Sequence, residues 1–367
     1  MIFRGRTRSF IALGIIGVII FVVFSRMDIF GKKPDILWKI DFVESPRLVI
    51  EGDTIYAWSY DDTNLTTIDK HSGKITNEYN IGLGTYGSDL ADGMFFKKKG
   101  SEGFELLALD LKTWREKWSR NIEDYEKIPR APAVRASNGR VYVGVKPNKI
   151  AAFDYESGTR VWNYETVLRT DPDKSPYLVA DDGILLIGFD DGSIHALDVA
   201  SGRQIWKFET GMSLPHAMLV KDGVAYVDVY ETTYALDAQT GKKIWKTFSA
   251  DLRTAFDASN GVLYIAQAFN SLRAVDRNGR QLWQRELPDM TTKIVISEGV
   301  LYYGTYHDSV GLDFSSDKSN FYAVDPQTGE IIWQYKMKDL ISTFEVDNDV
   351  VYLSKWNSDE LIALKNS

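Results

Sequence analysis

The residue types that most often carry chemistry are scarce in this chain. It has no cysteine, and its four histidines are His71, His195, His216 and His307. No two of them have the spacing of a metal-binding pair, so we interpret them as ordinary solvated or core histidines. The lack of cysteine excludes disulfides, thiolate metal sites, cysteine nucleophiles, covalent haem attachment and acylation of a lipoprotein cysteine.

Paired carboxylates and glycine-rich turns are the remaining candidates. Asp181-Asp182 and Asp190-Asp191 lie in turn-like sequence, which only weakly favours calcium binding. The glycine-rich turns lack the strand–loop–helix context of a phosphate site. The net charge of −8 argues against general nucleic-acid binding, which needs a basic surface. We therefore predict no catalytic, cofactor-binding or metal-binding residue and no nucleic-acid partner.

The strongest pattern is a repeated phrase that would position any site. An aspartate is followed after four residues by a glycine and after eight by a tryptophan, in Asp154-Gly158-Trp162, Asp198-Gly202-Trp206, Asp237-Gly241-Trp245 and Asp325-Gly329-Trp333. The aspartate can accept hydrogen bonds from turn N–H groups and the glycine allows a positive φ, which predicts a β-hairpin. Degenerate copies begin at Asp69, Asp110 and Asp276, and the spacing of 39 to 49 residues is typical of propellers and other repeat folds.

A second turn signal lies between these phrases. Pairs such as Asp92-Gly93, Asn138-Gly139 and Asp222-Gly223 separate short β-rich runs and predict tight hairpins. Each unit then has four antiparallel strands: A and B flank this turn, C leads into the aspartate, and D carries the tryptophan. This organisation predicts an all-β, eight-bladed propeller over residues 36–367. Residues 36–42 would supply strand D of the last blade, which satisfies the backbone groups of both terminal strands.

The amino terminus differs from the rest of the chain. Residues 1–8 form a basic tail, and an uncharged apolar run extends from Phe10 to Phe24. As a helix this run would be about 22 Å long, short of the ~30 Å bilayer core, but the flanking arginines can reach the interface. We interpret residues 9–26 as an uncleaved transmembrane signal-anchor and residues 27–35 as a linker. A cleaved signal peptide or a buried helix is the alternative.

The phrase Ala-Leu-Asp-x-x-Ser/Thr-Gly-x-x-x-Trp resembles the tryptophan-docking repeat of pyrroloquinoline-quinone-type propellers. Eight copies over residues 36–365 are similar to the BamB-type scaffolds of outer-membrane barrel assembly. The resemblance implies that the tryptophans pack between blades as structural residues: Trp38, Trp118, Trp162, Trp206, Trp245, Trp283 and Trp333. Asn77 and Trp114 depart from the pattern, so we expect the first two blades to dock less tightly. Quinoprotein dehydrogenases of this fold are usually longer and often have adjacent cysteines, which this chain lacks.

The two faces of such a ring should differ in function. The D–A and B–C connections share one face and carry arginine and aromatic side chains, which often anchor protein interfaces. On this face we predict partner-binding residues: Arg130, Val167, Leu168, Arg169, His216, Tyr230, Arg253, Lys293, Tyr306 and Trp356. BamB-type proteins contact their barrel-assembly partner through a Leu-Arg in a loop comparable to residues 163–175. The connection at residues 306–320 is the longest of the repeat, and long loops on rigid scaffolds often carry function. The alternative is that these residues only pack against the rim of the ring or face solvent, without binding a partner.

These observations predict a non-enzymatic, membrane-anchored scaffold on the extracytoplasmic side. We expect it in the inner (cytoplasmic) membrane with the propeller in the periplasm. Its partners would be the membrane, through the amino-terminal helix, and subunits of a cell-envelope complex, with no cofactor. Three alternatives stay open. The first is a quinone- or small-ligand-binding protein with its site in the central channel, and the second is a surface sensor or adhesion module. The third is a component of a larger membrane complex that uses the amino-terminal helix itself as an interface.

Overall fold

The computed structural model describes residues 33–365 with several gaps. The gaps are residues 43–45, 60–62, 83–87, 100–104, 124–132, 168–173, 213, 231, 249–253, 268–270, 288, 307–318 and 356–359. The predicted signal-anchor at residues 9–26 lies outside the described residues. Within the described part of the chain, no helix has the length and hydrophobicity to cross a bilayer.

The described chain forms eight four-stranded antiparallel sheets. We name them blades 1 to 8. The first four are blade 1, β2(Arg47–Glu51), β3(Thr54–Trp58), β4(Asn64–Asp69) and β5(Ile75–Asn80); blade 2, β6(Asp89–Ala91), β7(Met94–Lys99), β8(Glu105–Asp110) and β9(Arg115–Asn121); blade 3, β10(Val134–Ser137), β11(Arg140–Lys146), β12(Lys149–Asp154) and β13(Arg160–Glu165); and blade 4, β14(Tyr177–Asp181), β15(Ile184–Gly188), β16(Ser193–Asp198) and β17(Gln204–Glu209).

The remaining blades follow the same order of strands. They are blade 5, β18(Ala217–Lys221), β19(Val224–Val229), β20(Thr232–Asp237) and β21(Lys243–Phe248); blade 6, β22(Thr254–Ser259), β23(Val262–Gln267), β24(Ser271–Val275) and β25(Gln281–Glu286); blade 7, β26(Met290–Ser297), β27(Val300–Tyr306), β28(Ser319–Val324) and β29(Ile331–Met337); and blade 8, β30(Ile341–Asp347), β31(Val350–Lys355), β32(Glu360–Lys365) and β1(Asp35–Asp41). The predicted eight-bladed propeller is confirmed.

The ring closes between the two ends of the chain. Strand β1 pairs antiparallel with β32, from Asp35 opposite Lys365 to Asp41 opposite Glu360. The innermost strand β30 of blade 8 also lies beside β2 of blade 1. Strand β1 begins one residue earlier than predicted, so Asp35 belongs to the propeller and not to the linker.

Local turn chemistry and interblade packing explain the blades. In the A–B turn of blade 3, Asn138 and Gly139 have φ values of 53° and 71°, as a tight hairpin between twisted strands requires. The core consists of apolar layers between neighbouring blades. In one of these, Leu186 and Trp206 of blade 4 pack with Val227 and Leu236 of blade 5. The blades therefore hold one another through their faces, and the connections between strands form the two surfaces of the ring.

Candidate functional site

The C–D turns share one local geometry, best seen in blade 4. Asp198 Oδ1 accepts hydrogen bonds from the Ser201 backbone N–H at 2.8 Å and the Ser201 hydroxyl at 2.5 Å. The hydroxyl first and then the N–H lower the pKa of Asp198. The Gly202 N–H closes the turn on the Asp198 carbonyl at 2.9 Å. The aspartate is thus used to shape the turn.

Each regular turn receives a tryptophan from the preceding blade. The Trp206 indole N–H donates to the Ala238 carbonyl in the next C–D turn at 2.8 Å. A Cβ on Gly241 of that turn would lie 2.6 Å from Trp206 Cδ2, so only glycine leaves room for the ring. Five more tryptophans donate in the same way: Trp38, Trp118, Trp162, Trp245 and Trp283. These contacts fit the structural role that we predict for the tryptophans.

The junction between blades 1 and 2 uses a different contact. Trp114 occupies the glycine position of its turn with φ 56°, and it stacks on Tyr79 of blade 1 with an interplanar angle of 2°. Asn77 stands where blade 1 would carry the docking tryptophan, and its side-chain amide donates to the Tyr79 hydroxyl. The two departures are therefore coupled. Strand β5 has no docking tryptophan, and the turn of blade 2 supplies a tryptophan of its own, Trp114. From the sequence we expected only looser docking of these two blades, and we did not predict the stacking of Trp114 on Tyr79.

The junction between blades 7 and 8 also differs, for a topological reason. Strands C and D of blade 8 are β32 and β1, which come from opposite ends of the chain, so no covalent C–D turn joins them. Trp333 of blade 7 is fully buried among apolar residues. Its indole N–H finds no acceptor among the described residues.

The predicted partner-binding residues fall into four groups. Those outside the described residues are Arg130, Leu168, Arg169, Arg253 and Trp356. Val167, His216 and Tyr230 are exposed on the face formed by the D–A and B–C connections, which we call the connection face. Tyr306 is half-buried at the end of β27. The fifth described residue, Lys293, occupies a different position.

Lys293 lies beside the central channel instead of on the connection face. Its ammonium donates to the Phe344 carbonyl at 3.0 Å and pairs with Glu345 at 2.5 Å, both in the next innermost strand. The physical reason is that β26 begins at Met290 and has a register shift between Thr291 and Ile294. This places Lys293 within the strand rather than in the connection before it.

A patch of exposed apolar side chains marks the connection face in blades 3 to 5. It consists of Val167 at 103%, Met212 at 38%, Tyr230 at 49% and Phe248 at 62% relative exposure. All the large hydrophobic side chains found exposed in the described part of this face belong to these three neighbouring blades. Grouped aromatic and aliphatic side chains of this kind mark interaction surfaces. We call these four residues the apolar patch.

Buried polar contacts position Tyr230 within the patch. Tyr230 has φ 56°, a left-handed conformation that an aromatic residue rarely adopts. Beneath its turn, the Thr233 hydroxyl donates to buried Asp228 at 2.6 Å, and Asp228 and Thr233 are cross-strand partners. The His216 backbone N–H donates to the Asp228 carbonyl at 2.9 Å. These contacts fix the strands on both sides of Tyr230, whose ring is 49% exposed and whose backbone is strained, and such strain often marks functional positions.

Phe248 and Met212 are held by their backbones. Arg273 Nη2 of blade 6 donates to the Phe248 carbonyl at 2.8 Å. The Met212 carbonyl packs so closely on Gly192 that any Cβ there would collide with it. The Met212 N–H also donates to the Thr210 hydroxyl at 3.2 Å. Both side chains are thus carried on fixed backbone while they stay exposed.

A second set of exposed apolar residues has a structural explanation. Leu37, Val161, Ile205, Ile244 and Leu282 each precede a docking tryptophan and are each 40 to 46% exposed. Each lies at a β-bulge between strands C and D, where the register shifts. They lie in five different blades, one in each, around the perimeter and form no patch. Singly exposed aliphatic side chains of this kind need no functional reading.

A polar contact joins blades 3 and 4 close to the patch. His195 Nδ1 lies 2.6 Å from the Tyr164 hydroxyl, which donates to Gln204 Oε1 at 2.6 Å. Nδ1 therefore carries the proton that Tyr164 accepts, and Nε2 is buried without a partner among the described residues. Burial, with Lys207 as a lesser cause, lowers the pKa of His195 to about 4. The imidazole is thus neutral near pH 7.

The central channel contains a cavity of about 300 Å³ beside blades 8, 1, 2 and 3. Its charged lining residues are Arg47, Asp89, Arg135 and Glu345. Arg47 donates to the Ser88 carbonyl at 2.9 Å and Arg135 to the Leu178 carbonyl at 3.2 Å, while Asp89 accepts the Ala136 N–H at 2.8 Å. Burial raises the pKa of Asp89 against the opposing effect of Arg135. These side chains cover the open backbone edges of the next innermost strands, as edge strands require.

Comparison with known proteins places this architecture in a family. The family model of the outer membrane protein assembly factor BamB matches residues 32–182 and 190–353. The chain belongs to the BamB family. No curated protein matches its sequence.

Several solved structures have the same fold as this BamB family member, at low sequence identity to it. BamB from Moraxella catarrhalis is 19% identical with a TM-score of 0.65, over 91% of this chain and 100% of its own. The computationally designed protein Ika8 is 13% identical with a TM-score of 0.72, over 92% and 100%. A quinohemoprotein alcohol dehydrogenase from Comamonas testosteroni is 15% identical with a TM-score of 0.63, over 91% and 76%. At these identities the likeness establishes the propeller fold alone.

The site of this BamB family member is only partly visible to sequence reasoning. Met212 and Phe248 were not predicted, and apolar neighbours in the same connections, such as Leu214 and Leu252, leave no contrast in the sequence that would single them out. In the described residues, no three histidine, aspartate or glutamate side chains come together in a way that could hold a metal ion.

Proposed function

We propose that this protein is a non-enzymatic scaffold, anchored in the inner membrane, that binds a protein partner of an envelope complex on the extracytoplasmic side. The apolar patch of Val167, Met212, Tyr230 and Phe248 carries the proposal. Its four exposed side chains lie in neighbouring blades, and Tyr230 has a strained conformation. Aromatic anchors in such a setting contribute most of the energy of a protein interface.

Membership of the BamB family supports the scaffold as the class of function. BamB itself is an outer membrane protein assembly factor. The anchor comes from the sequence of residues 9–26, whose apolar run is flanked by arginines. We propose that this helix is not cleaved and that the basic amino terminus stays inside, so that the propeller lies outside the cytoplasm at the inner membrane.

Site-specific photo-crosslinking in membranes tests the interaction. A photoreactive amino acid at Tyr230 should give one discrete protein adduct. The matched control is the same amino acid at Ile244, which is 41% exposed in the same blade but lies at a perimeter bulge. Equal adducts from both positions, or none from Tyr230, would contradict the proposal.

A quinone-binding protein is the second candidate, favoured by the likeness to quinohemoprotein dehydrogenases and by the channel cavity. The cavity does not fit a carboxylate-bearing quinone well, because Arg47 and Arg135 already bind strand-edge carbonyls. We expect no thermal stabilisation by pyrroloquinoline quinone with calcium. Saturable stabilisation that is lost in Arg135→Gln would favour this candidate over the scaffold.

A further inference from the structure

One position near the start of each outermost strand divides the blades into two groups. Its residue pairs with the last apolar residue of strand C, as Gln204 pairs with Leu197 in blade 4. In blades 2 to 6 this position is polar or charged: Glu116, Arg160, Gln204, Lys243 and Gln281. In blades 7, 8 and 1 it is Ile331, Ile36 and Ile75, with relative exposures of 42%, 42% and 39%. We call these three residues the isoleucine rim.

The five polar blades show what an outermost strand usually carries at this position. Such a strand has an open backbone edge, and charged side chains on it discourage pairing with another chain. In blade 3, Arg160 covers the apolar residue behind it, with Cζ 5.4 Å from the centre of the Phe153 ring. The isoleucine rim instead leaves apolar surface open on three neighbouring edge strands. Grouped exposure of this kind indicates an apolar contact.

The isoleucine rim is centred on the point where the amino-terminal segment joins the ring. Ile36 follows Asp35, the first residue of β1, and the other two isoleucines lie in the blades on either side. The sequence before this point contains the uncharged apolar run from Phe10 to Phe24. The rim therefore adjoins the part of the chain that we take as the membrane anchor.

The curvature of the ring decides which occupant fits the rim. Sheets pack about 10 Å apart, so eight blades give a mean radius of ~13 Å and put the outermost strands at ~20 Å. Three neighbouring blades then span about 28 Å of the perimeter, and the middle one stands out by ~6 Å. A second convex ring would touch only one of them, and a segment that leaves from the middle can follow only one side. A fluid apolar surface can cover all three.

Charges beside the rim limit the depth of such a contact. Asp35 and Glu330 are exposed next to two of the isoleucines and need water or headgroups around them. Lys74, exposed beside the third, can extend its ammonium to the headgroups. Apolar side chains at a membrane interface reach ~5–10 Å into the boundary between headgroups and acyl chains, which matches the ~6 Å curvature of the rim. The contact is therefore shallow.

We propose that the isoleucine rim rests on the lipid surface of the membrane that anchors the chain. Ile331, Ile36 and Ile75 then lie at the boundary between headgroups and acyl chains. The partner is a bilayer surface and not a protein, so this site is distinct from the apolar patch. The contact rests on the proposed function in one respect, because it takes residues 9–26 as the anchor. It depends neither on the length of the linker nor on which face of the ring is nearer the lipid.

Quenching by labelled lipid tests the contact. The cysteine-free full-length chain, reconstituted in phosphatidylcholine vesicles, can carry one dye after Ile75→Cys, Ile331→Cys or Gln204→Cys. A nitroxide is placed on the lipid either near the headgroup or deep in the acyl chain. We expect the shallow nitroxide to quench both rim dyes about twofold and the deep one to quench them less. The dye at Gln204, the equivalent position in the opposite blade 4, should not be quenched.

Substitutions taken from the repeat itself provide a second measurement. Ile75→Gln with Ile331→Gln gives the rim the residue that blades 4 and 6 carry at this position, so the fold should accept both changes. In this double variant, a dye at Ile36→Cys should be quenched less than in the parent rim. Gln204→Ile, the opposite exchange in blade 4, should leave the quenching at Ile36→Cys unchanged.

The other outcomes overturn the contact in distinguishable ways. Equal quenching at Gln204 and at the rim, or none at the rim of protein that floats with the vesicles, overturns it while the anchor stands. Protein that does not float with the vesicles shows that the anchor fails, and the contact fails with it. A rim dye that responds to protein density but not to the nitroxide would assign the rim to a second copy of the chain. Crosslinking at Tyr230 tests the interaction face separately.

Discussion

The surface formed by the A–B and C–D turns, which we call the turn face, and the connection face are built from the two ends of the same strands, yet they are used differently. On the turn face, repeated contacts such as Trp206 on Gly241 join one blade to the next. On the connection face the side chains vary from blade to blade, and exposed apolar residues gather in blades 3 to 5. A repeat that places its recurring tryptophan–turn contacts at one end of each blade leaves the other end free to diverge.

The largest expected effect comes from filling a docking turn. In Gly241→Ala the new methyl would lie 2.6 Å from Trp206 in a backbone with φ 68°. We expect a loss of about 2–4 kcal/mol in the free energy of unfolding, from overpacking and strain together. Urea denaturation measures it.

Gly223→Ala is the matched control for this variant. It has a similar φ of 75° but nothing within 4 Å of the new Cβ, so only strain remains, at about 1 kcal/mol. Equal losses in the two variants would show that the tryptophan contact does not set the cost. Folded protein of either variant should still crosslink its partner.

Lowering the pH tests the contact between His195 of blade 4 and Tyr164 of blade 3. His195 has a pKa of about 4 in the folded chain and about 6.5 when unfolded, so the unfolded state binds more protons between these values. Stability should therefore fall as the pH drops from 6.5 to 4, by about 2 kcal/mol. Thermal unfolding of the parent and of His195→Gln over this range measures it. The same slope in both would assign the effect to other groups.

A smaller effect, of opposite sign, is expected at Tyr230. Asparagine tolerates its φ of 56° better than tyrosine, so Tyr230→Asn should raise the free energy of unfolding by up to ~1 kcal/mol while partner binding is lost. The reverse exchange on the turn face, Asn138→Tyr at φ 53°, should cost a similar amount and leave binding intact. Urea denaturation measures the change in the free energy of unfolding, and the crosslinking yield measures partner binding. A destabilised Tyr230→Asn would remove the argument from strain.

The contrast between the faces also explains what sequence alone could predict. Asp198, Gly202 and Trp206 act within a local turn and its nearest neighbour, so their spacing predicted the blades and the ring closure. Lys293 could not be placed, because its direction depends on a register shift in β26. Phe248 could not be distinguished from Ile244 without knowing which of them lies at a bulge. The exposure of such a side chain depends on residues that are close in space but distant in sequence, and the sequence of one repeat does not specify them.

The central claim is that the apolar patch binds a protein partner. Once crosslinking has supplied that partner in pure form, its dissociation constant should be measured by titration calorimetry for the parent chain, Phe248→Ser and Ile244→Ser. The account predicts that Phe248→Ser weakens binding by about tenfold or more, as expected for an interface anchor, while Ile244→Ser binds like the parent. Equal affinity in all three proteins would contradict it.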